Sequence, residues 1–528
     1  MTRAAPERTQ DFDAKLAAAR AHDVAGRGGK AEALYRQILK KDARHPGALH
    51  ALGLMARNGG NVERAAQLLS KAAAAAPDDA AVRCDLGNAL KALGRADEAL
   101  VHHRRMVELC PASPEALSNL GTTCAKAGHT DEALDHLRRA VALDPANAEI
   151  QYNLGNVLLS AGNFEDAAEA FTRTTEILPV HVRAHANLGV ACKELGRLGD
   201  AENSFRVALG LVPGDADAGW NLGLAQLMAG DWRAGWAAYE SRRRIPDFAM
   251  RRLDRPAWDG AKLDGRSLLV HAEQGLGDTI QFVRYLSILA DQGAEVSLWC
   301  QDALAPLSSG FSHPISLVTG SPPRTDLHAP LLSLPHLLGV AEPFVPEPAA
   351  YISAEPERLA HWSRKLAGEK FNVGIAWQGR PDYAADGRRS IPLRHFAPLA
   401  EQSDVRLVSL QQGHGTEQLQ ALDWRERILE LGPELDGDGA FLDSAAVIAA
   451  LDLMITSDTA IAHLAGALGV PVWLALAHVP DWRWGLKGET TPWYPAMRLF
   501  RQDRSGDWPG VFARIAKALG ETNVIGPD

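Results

Sequence analysis

Two stretches of this chain place chemistry-bearing residues where a strand gives way to a helix. In the first, the apolar run Ser267–Ala272 (SLLVHA) is followed by EQGLGDTIQ and a helical pattern from about Asp278 to Asp291. Gly275 and Gly277 permit a tight turn and close approach by a ligand, with backbone N–H groups free at the helix start. The turn is not GxGxxG, so a dinucleotide assignment has no support. Asp278 is compatible with two roles, a helix cap or a general base aimed at a hydroxyl. In the second stretch, LDLMITSDTAIAHLAGALGVPVWLALA, a strand over Leu453–Ser457 runs into Ser457, Asp458 and Thr459 and then a helix over Ala460–Leu468. Gly469–Pro471 stops that helix and a buried strand, Val472–Ala475, follows. The carboxyl end of a strand meeting a helix start is where anions bind in open α/β sheets. His463 lies four residues after Thr459, on the same helix face. It either points toward a bound anion or is a satisfied structural histidine.

A third segment, Asn372–Trp377 (NVGIAW), reads as a strand preceded by a helical stretch around Arg358–Ala367. The basic loop after it, QGRPDYAADGRRSIPL, offers Arg388 and Arg389, whose guanidinium forks suit phosphate oxygens; ordinary solvated cations are the other reading. DWRWGLKGETTPWYP carries Trp482, Trp484, Trp493 and Tyr494, to wall a cleft or to pack two lobes together. Further strands are expected at Glu295–Trp299, Ile315–Val318 and near Leu331, and a final helix at Pro509–Leu519 that crosses back onto the first lobe. Short β-rich runs alternating with helices indicate an α/β layer fold.

What precedes these segments is periodic. Leu-Gly occurs at 52–53, 86–87, 120–121, 154–155, 188–189 and 222–223, a step of 34 residues. Alanines hold one phase (Ala31, Ala65, Ala99, Ala133, Ala167, Ala201) and prolines another (Pro77, Pro111, Pro145, Pro179, Pro213). Small residues sit where two helices cross closely, and proline, lacking an N–H, stops the second helix. The pattern resembles tetratricopeptide (TPR) repeats over about Phe12 to Arg244, in about seven units. The outer units depart from it, with Ala19 replacing glycine in the first and Gly235 replacing alanine in the last. Terminal units cap or dock, so Trp232 and Trp236 are expected to dock on the next domain. The residue before Leu-Gly is Asp85 and then Asn119, Asn153, Asn187 and Asn221. Asparagine is a poor helix former, so its recurrence needs a reason. A row of carboxamides suits gripping a peptide backbone; hydrogen bonding between helices is the other reading. The row is similar to the asparagine ladder of O-GlcNAc transferases, which clamps extended polypeptides.

Composition bounds the rest. At 528 residues the chain holds two to four domains, and its net charge of −10 gives no reason to expect nucleic acid. No run of about 18 to 20 apolar residues marks a membrane span, and no signal peptide opens the chain. The five cysteines lack paired spacing and read as free thiols of a reducing cytoplasm.

Taken together, the GLGD turn, GIAWQG with its basic loop, and SDTAIAHLAGALGVP resemble GT-B glycosyltransferases of the heptosyltransferase-like kind. The resemblance implies an all-α TPR solenoid followed by two Rossmann-like lobes, the first one short. In residue numbers this gives a tail (1–11), the array (12–245), a connector (246–265), a short acceptor-side lobe (266–360) and a nucleotide-sugar lobe (361–528). It also implies that Asp278 is the catalytic base. Ser457, Asp458, Thr459, Ala460 and His463 would bind the donor's nucleotide and phosphates, with Arg388 and Arg389 on the leaving phosphate and no metal or cofactor. Repeats joined to a GT-B domain are similar to bacterial flagellin glycosyltransferases. That implies a cytoplasmic enzyme acting on polypeptide Ser or Thr, with flagellin as the acceptor and a nonulosonic acid as the sugar. Two alternatives remain open, a scaffold with a degenerate transferase domain and an enzyme acting on a glycan or lipopolysaccharide.

Overall fold

The computed structural model describes residues 4–523 except 247, 249–252, 313, 314, 319, 348, 384 and 438. Parts of the expected tail and connector therefore lie outside the described residues. The chain divides into two compact units, Met1–Cys192 and Lys193–Asp528. Helical hairpins follow one another from Ala4–Val24 with Gly28–Lys41 to Ala216–Ala229 with Trp232–Tyr239. The first helix thus spans position 12, where the sequence phase starts the array.

The periodic columns are steric. A Cβ on Gly53 would stand 2.8 Å from Leu69, one on Gly121 2.7 Å from Leu137, and one on Gly155 2.6 Å from the Phe171 ring. Glycine therefore lets the two helices of a hairpin approach. Ala65, Ala99, Ala133 and Ala167 are fully buried. Each hairpin turn carries a glycine with positive φ, from Gly26 at 71° to Gly162 at 78° in the first unit. The second helices end at Ala75, Leu109, Leu143 and Ile177, two residues before the column proline. None of the five cysteines is in a disulfide.

In the second unit four parallel strands form one sheet: β1 (Ser267–His271), β2 (Glu295–Trp299), β3 (Ser316–Val318) and β4 (Leu327–Pro330), in the order β3-β2-β1-β4. Six more form another: β5 (Phe371–Ala376), β6 (Val405–Ser409), β7 (Ile428–Glu430), β8 (Leu453–Thr456), β9 (Val472–Leu476) and β10 (Met497–Arg501). Their order is β10-β9-β8-β5-β6-β7, and every recorded pairing is parallel. Both sheets therefore reverse their winding direction, between β1 and β4 and between β5 and β8. Open α/β sheets bind ligands at such a reversal, outside the strands' carboxyl ends.

Three expectations are corrected. The helix after Gly277 is not continuous to Asp291: it runs Leu276–Phe282, tightens to a 3-10 turn over Val283–Tyr285 and resumes over Leu286–Asp291. Phe282 through Leu286 are all buried, and the tighter turn lets five successive side chains face inward. The strand expected near Leu331 is β4, which ends at Pro330; proline donates nothing to a ladder, and Leu331–Ser333 is a 3-10 turn. The last helix, Trp508–Asn523, stays on the second lobe. Its Phe512 ring lies 4.3 Å from that of Phe396, and Val511, Ile515 and Leu519 join the core built on β5 and β9.

One position breaks the repeat chemistry. Where neighbouring hairpins place Leu69, Leu137 and Phe171, the third has His103, fully buried and pushed down to about 4 by burial. Its Nδ1 shares a hydrogen bond of 2.8 Å with Thr123 Oγ1. Folding thus favours the neutral ring. As pH falls below the ordinary 6.5 the unfolded chain binds a proton first, and stability drains until about pH 4. The loss amounts to about 3 kcal/mol. His103→Leu is expected to match wild type at neutral pH and to keep that stability at about pH 4.5. Urea unfolding of the full chain at the two pH values measures this, and an unchanged acid loss in the variant contradicts it.

Candidate functional site

A cleft of about 1170 Å³ opens in the second unit at the winding reversals of both sheets. Its walls include Gly275, Gly277, Asp278, Arg388, Arg389, Asp458, Thr459, Ala460, His463 and Asn221. The structure therefore gathers the sequence-derived residues of both lobes in one space, except the fully buried Ser457, which does not line it. Two short helices bring them together. A Cβ on Gly277 would meet His463 Cδ2 at 2.9 Å and Ala460 Cα at 3.3 Å, so only glycine lets the start of Leu276–Phe282 lie on the start of Ala460–Ala467.

Of the two roles read for Asp278, the structure shows the cap. Asp278 Oδ2 accepts the Gly275 N–H at 2.8 Å, capping its own helix from the third position rather than as the N-cap residue. Its Oδ1 pairs with Arg483. Burial raises the carboxyl above the ordinary value, against the pull of Arg483 and the Gly275 amide. Asp458 is raised to about 6, first by burial and then by the nearby charge of Asp481. Thr459 holds the N-cap position, yet its hydroxyl makes no cap hydrogen bond. Its Oγ1 and that of the fully buried Ser457 have no hydrogen-bond partner among the described residues. His463 is buried, with Nδ1 2.9 Å from Tyr494 Oη and its ring stacked on Trp484 at 5.5 Å. Burial, reinforced by Arg483, drives its pKa well below the ordinary value, so the ring is neutral.

The basic loop splits its two arginines. Arg388 pairs with Glu194, at the end of a repeat helix. Arg389 is steadied by Asp386 at 3.1 Å and lies over the Tyr383 ring at 4.6 Å. The asparagine column stitches neighbouring helices. Asn119 Nδ2 donates to Cys84 Sγ (3.3 Å), Asn153 Nδ2 to Ser118 Oγ (3.2 Å) and Asn187 Nδ2 to Asn156 Oδ1 (2.7 Å). Asp85, in the same column, receives His50 and Arg57, each at 2.7 Å. Asn221 donates to its own helix, at Asp217 O (3.0 Å).

The tetratricopeptide repeat matches residues 16–80, 119–182 and 152–216, and a second form of that repeat matches 78–146. The N-terminal hairpins are tetratricopeptide repeats. Protein FlbA of Caulobacter vibrioides is 31% identical over 320 residues, covering 54% of this chain and 52% of that protein. This chain thus spans about half the length of that relative. Among solved structures, the MamA protein is 28% identical, covering 31% of this chain and 91% of its own, with a TM-score of 0.29. YrrB, a TPR protein with an unusual peptide-binding site, is 21% identical, covering 35% of this chain and 95% of its own, with a TM-score of 0.29.

Sequence reasoning missed the charges that hold the cleft's floor. Arg483, Asp481, Glu273 and Arg242 lie inside segments read for aromatics or glycines. The signal was a cation among tryptophans, since a buried charge must be paired. The last tetratricopeptide repeat docks on this floor as expected, with Trp236 5.3 Å from Trp482 and 5.8 Å from Phe282, and Trp232 5.6 Å from Trp493. Trp482, Trp484, Trp493 and Tyr494 are all buried; packing is their main work, and Trp482 also lines the cleft. Below them Arg242, fully buried, pairs with Glu273 (2.5 Å) and Glu240 (2.7 Å) and donates to Ser333 Oγ (2.8 Å). Arg242→Met leaves the buried Glu273 carboxylate uncompensated and is expected to cost about 3–5 kcal/mol in urea unfolding. Adding Glu273→Gln should restore much of the loss. A double variant as weak as the single one would show that the pair is not the source.

Proposed function

We propose that this chain is a glycosyltransferase of GT-B kind, which moves a sugar from a nucleotide-activated donor to a Ser or Thr hydroxyl of a polypeptide held by the repeats. The observation that carries the reading is the meeting of two helix starts in one cleft, one bearing Asp278 and the other Asp458, Thr459 and His463. Asp278 takes the proton of the acceptor hydroxyl. The freed oxygen forms a bond to the anomeric carbon as the bond from that carbon to phosphate oxygen breaks, and the phosphate leaves with the electron pair. The departing charge faces Arg389 and the N-terminus of Ala460–Ala467, whose Thr459 cap hydroxyl is uncommitted to the backbone. Arg388 serves the same charge once it exchanges Glu194 for phosphate.

Lys193, Glu194, Trp220, Asn221 and Leu224 of the last repeats line the same cleft, which supports delivery of the acceptor from the array. The short first sheet, four strands, leaves acceptor selection to the repeats. The carboxamide oxygens of Asn119, Asn153 and Asn187 are then the groups that meet a peptide, since their N–H groups bridge helices. A polypeptide such as flagellin is the acceptor in this reading, and a nonulosonic acid the sugar. The enzyme of this reading is cytoplasmic. Among the described residues no helix is long and apolar enough to cross a membrane.

Calorimetric titration of the full chain with UDP, GDP, ADP and CMP tests the donor side: one is expected to bind, and Thr459→Val to weaken it. If none binds, the chain is a scaffold. Asp278→Asn should lower transfer by about 10²–10⁴-fold while nucleotide binding persists; a variant that still transfers removes Asp278 as base.

A further inference from the structure

We infer that Arg483 is the positioning residue of this cleft, fixing the Asp278 carboxylate in place and in its charged form. The inference deepens the reading of Asp278 as the base and rests on it. Arg483 is 7% exposed, and its guanidinium is held on several sides. Nη1 pairs with Asp481 Oδ1 at 2.8 Å, Nε donates to Gln281 Oε1 at 2.5 Å, and the group lies 4.3 Å over the Trp482 ring. Its own backbone N–H also donates to Asp481 Oδ1, at 3.1 Å. What remains is Nη2, and it donates to Asp278 Oδ1. With Oδ2 taking the Gly275 N–H, each carboxylate oxygen holds one donor. The plane of the carboxylate is thereby set, and each oxygen keeps a second acceptor site for a hydroxyl. A planar guanidinium does this where an ammonium, a flexible point charge, does not.

The charges around Asp278 show why the charged form needs this partner. Burial opposes it, and Asp481 opposes it from the same segment as Arg483. Arg389, from the basic loop, favours it more weakly than Arg483. Tyr239 of the last repeat stays a neutral phenol, and His463, from the abutting helix, a neutral ring. Glu273, in the same turn, is occupied by Arg242. Asp481 acts twice, orienting Arg483 and drawing off part of its field.

Carbodiimide attacks a protonated carboxyl, so labelling of Asp278 against pH, read by peptide mass spectrometry on the full chain, gives its titration midpoint. Arg483→Gln is expected to move the midpoint up by about one pH unit or more. Arg483→Lys should stay closer to wild type, and Asp481→Asn should move the midpoint down. Opposite signs for Arg483→Gln and Asp481→Asn are what a general loosening of the site would not produce. An unmoved midpoint in Arg483→Gln, or a rise in Asp481→Asn, overturns the inference. Should Arg483→Gln not fold, Arg483→Lys and Asp481→Asn decide it: a midpoint in Asp481→Asn that does not fall is fatal. In a transferring enzyme the acid limb of the rate shifts with the midpoint. Midpoints that shift as expected in a chain that transfers no sugar sustain the role of Arg483 and sink the glycosyl-transfer reading, so the two fail separately.

Discussion

A buried guanidinium is costly unless its donors are met, and among the described residues the unit Lys193–Asp528 buries three. Each ties a different set of segments. Arg242 joins the end of the last repeat to the turn after β1, through Glu273, and to the turn after β4, through Ser333. Arg284 joins the broken first-lobe helix to the carbonyls of Phe344 (3.1 Å) and Trp493 (2.7 Å) and to Tyr351 Oη (3.0 Å). Arg483 returns from the Asp481–Tyr494 segment to Asp278 and Gln281. Repeat, first lobe and late aromatic segment are thus each fixed to the next by a fork that fits one geometry. The aromatic cluster of Trp232, Trp236, Phe282, Trp482 and Trp493 fills the space between these ties. Dispersion there is non-directional, so the hydrogen bonds of the three guanidinium groups set the register of the packing.

The same constraint shapes the cleft. Two helix N-termini lie against each other at Gly277, Ala460 and His463, and both present partial positive charge. Asp278 and Asp458 stand at these ends and answer it, while the neutral His463 adds no further charge where the helices touch. A cleft built this way holds both signs: the Asp278 and Asp458 carboxylates beside Arg389 and the helix start that Thr459 leaves uncapped. Such a site can accept an anion and a proton donor together.

The repeats were legible in the sequence because their columns are steric. A glycine that admits Leu69 or Phe171 tolerates nothing larger, so the requirement recurs at every step and prints itself in the text. The strand ends and the Ser457–His463 segment were legible for a local reason, since a buried strand followed by small residues has few conformations. The buried arginines were not. Arg483 finds Asp278 two hundred residues earlier, and no local period announces such a pair. The final helix is not placed by sequence for the same reason: its apolar face fits either lobe, and only the apolar layer on β5 and β9 that it covers decides. The asparagine column was recognised, but its spacing could not separate a ladder facing a peptide from the inter-repeat stitches its N–H groups make.

His103 breaks the repeat pattern from within and Arg388 reaches a repeat helix from outside, and each has a neighbour that explains it. His103 keeps the volume of the column's Leu and Phe while exchanging apolar contact for hydrogen bonds to Thr123 and the Cys84 carbonyl. Arg388 reaches Glu194, whose carboxyl is pushed up by burial yet brought below the ordinary value by Lys193 and Arg388. That pair ties the basic loop of the second lobe to the end of a repeat helix, on the rim of the cleft itself. The last repeats are therefore part of the site's wall, contributing charge as well as Trp220, Asn221 and Leu224. An array attached only as a tether would need none of these contacts. Because the wall is shared, any change that draws Arg388 away from Glu194 also alters the repeat surface at the rim of the cleft.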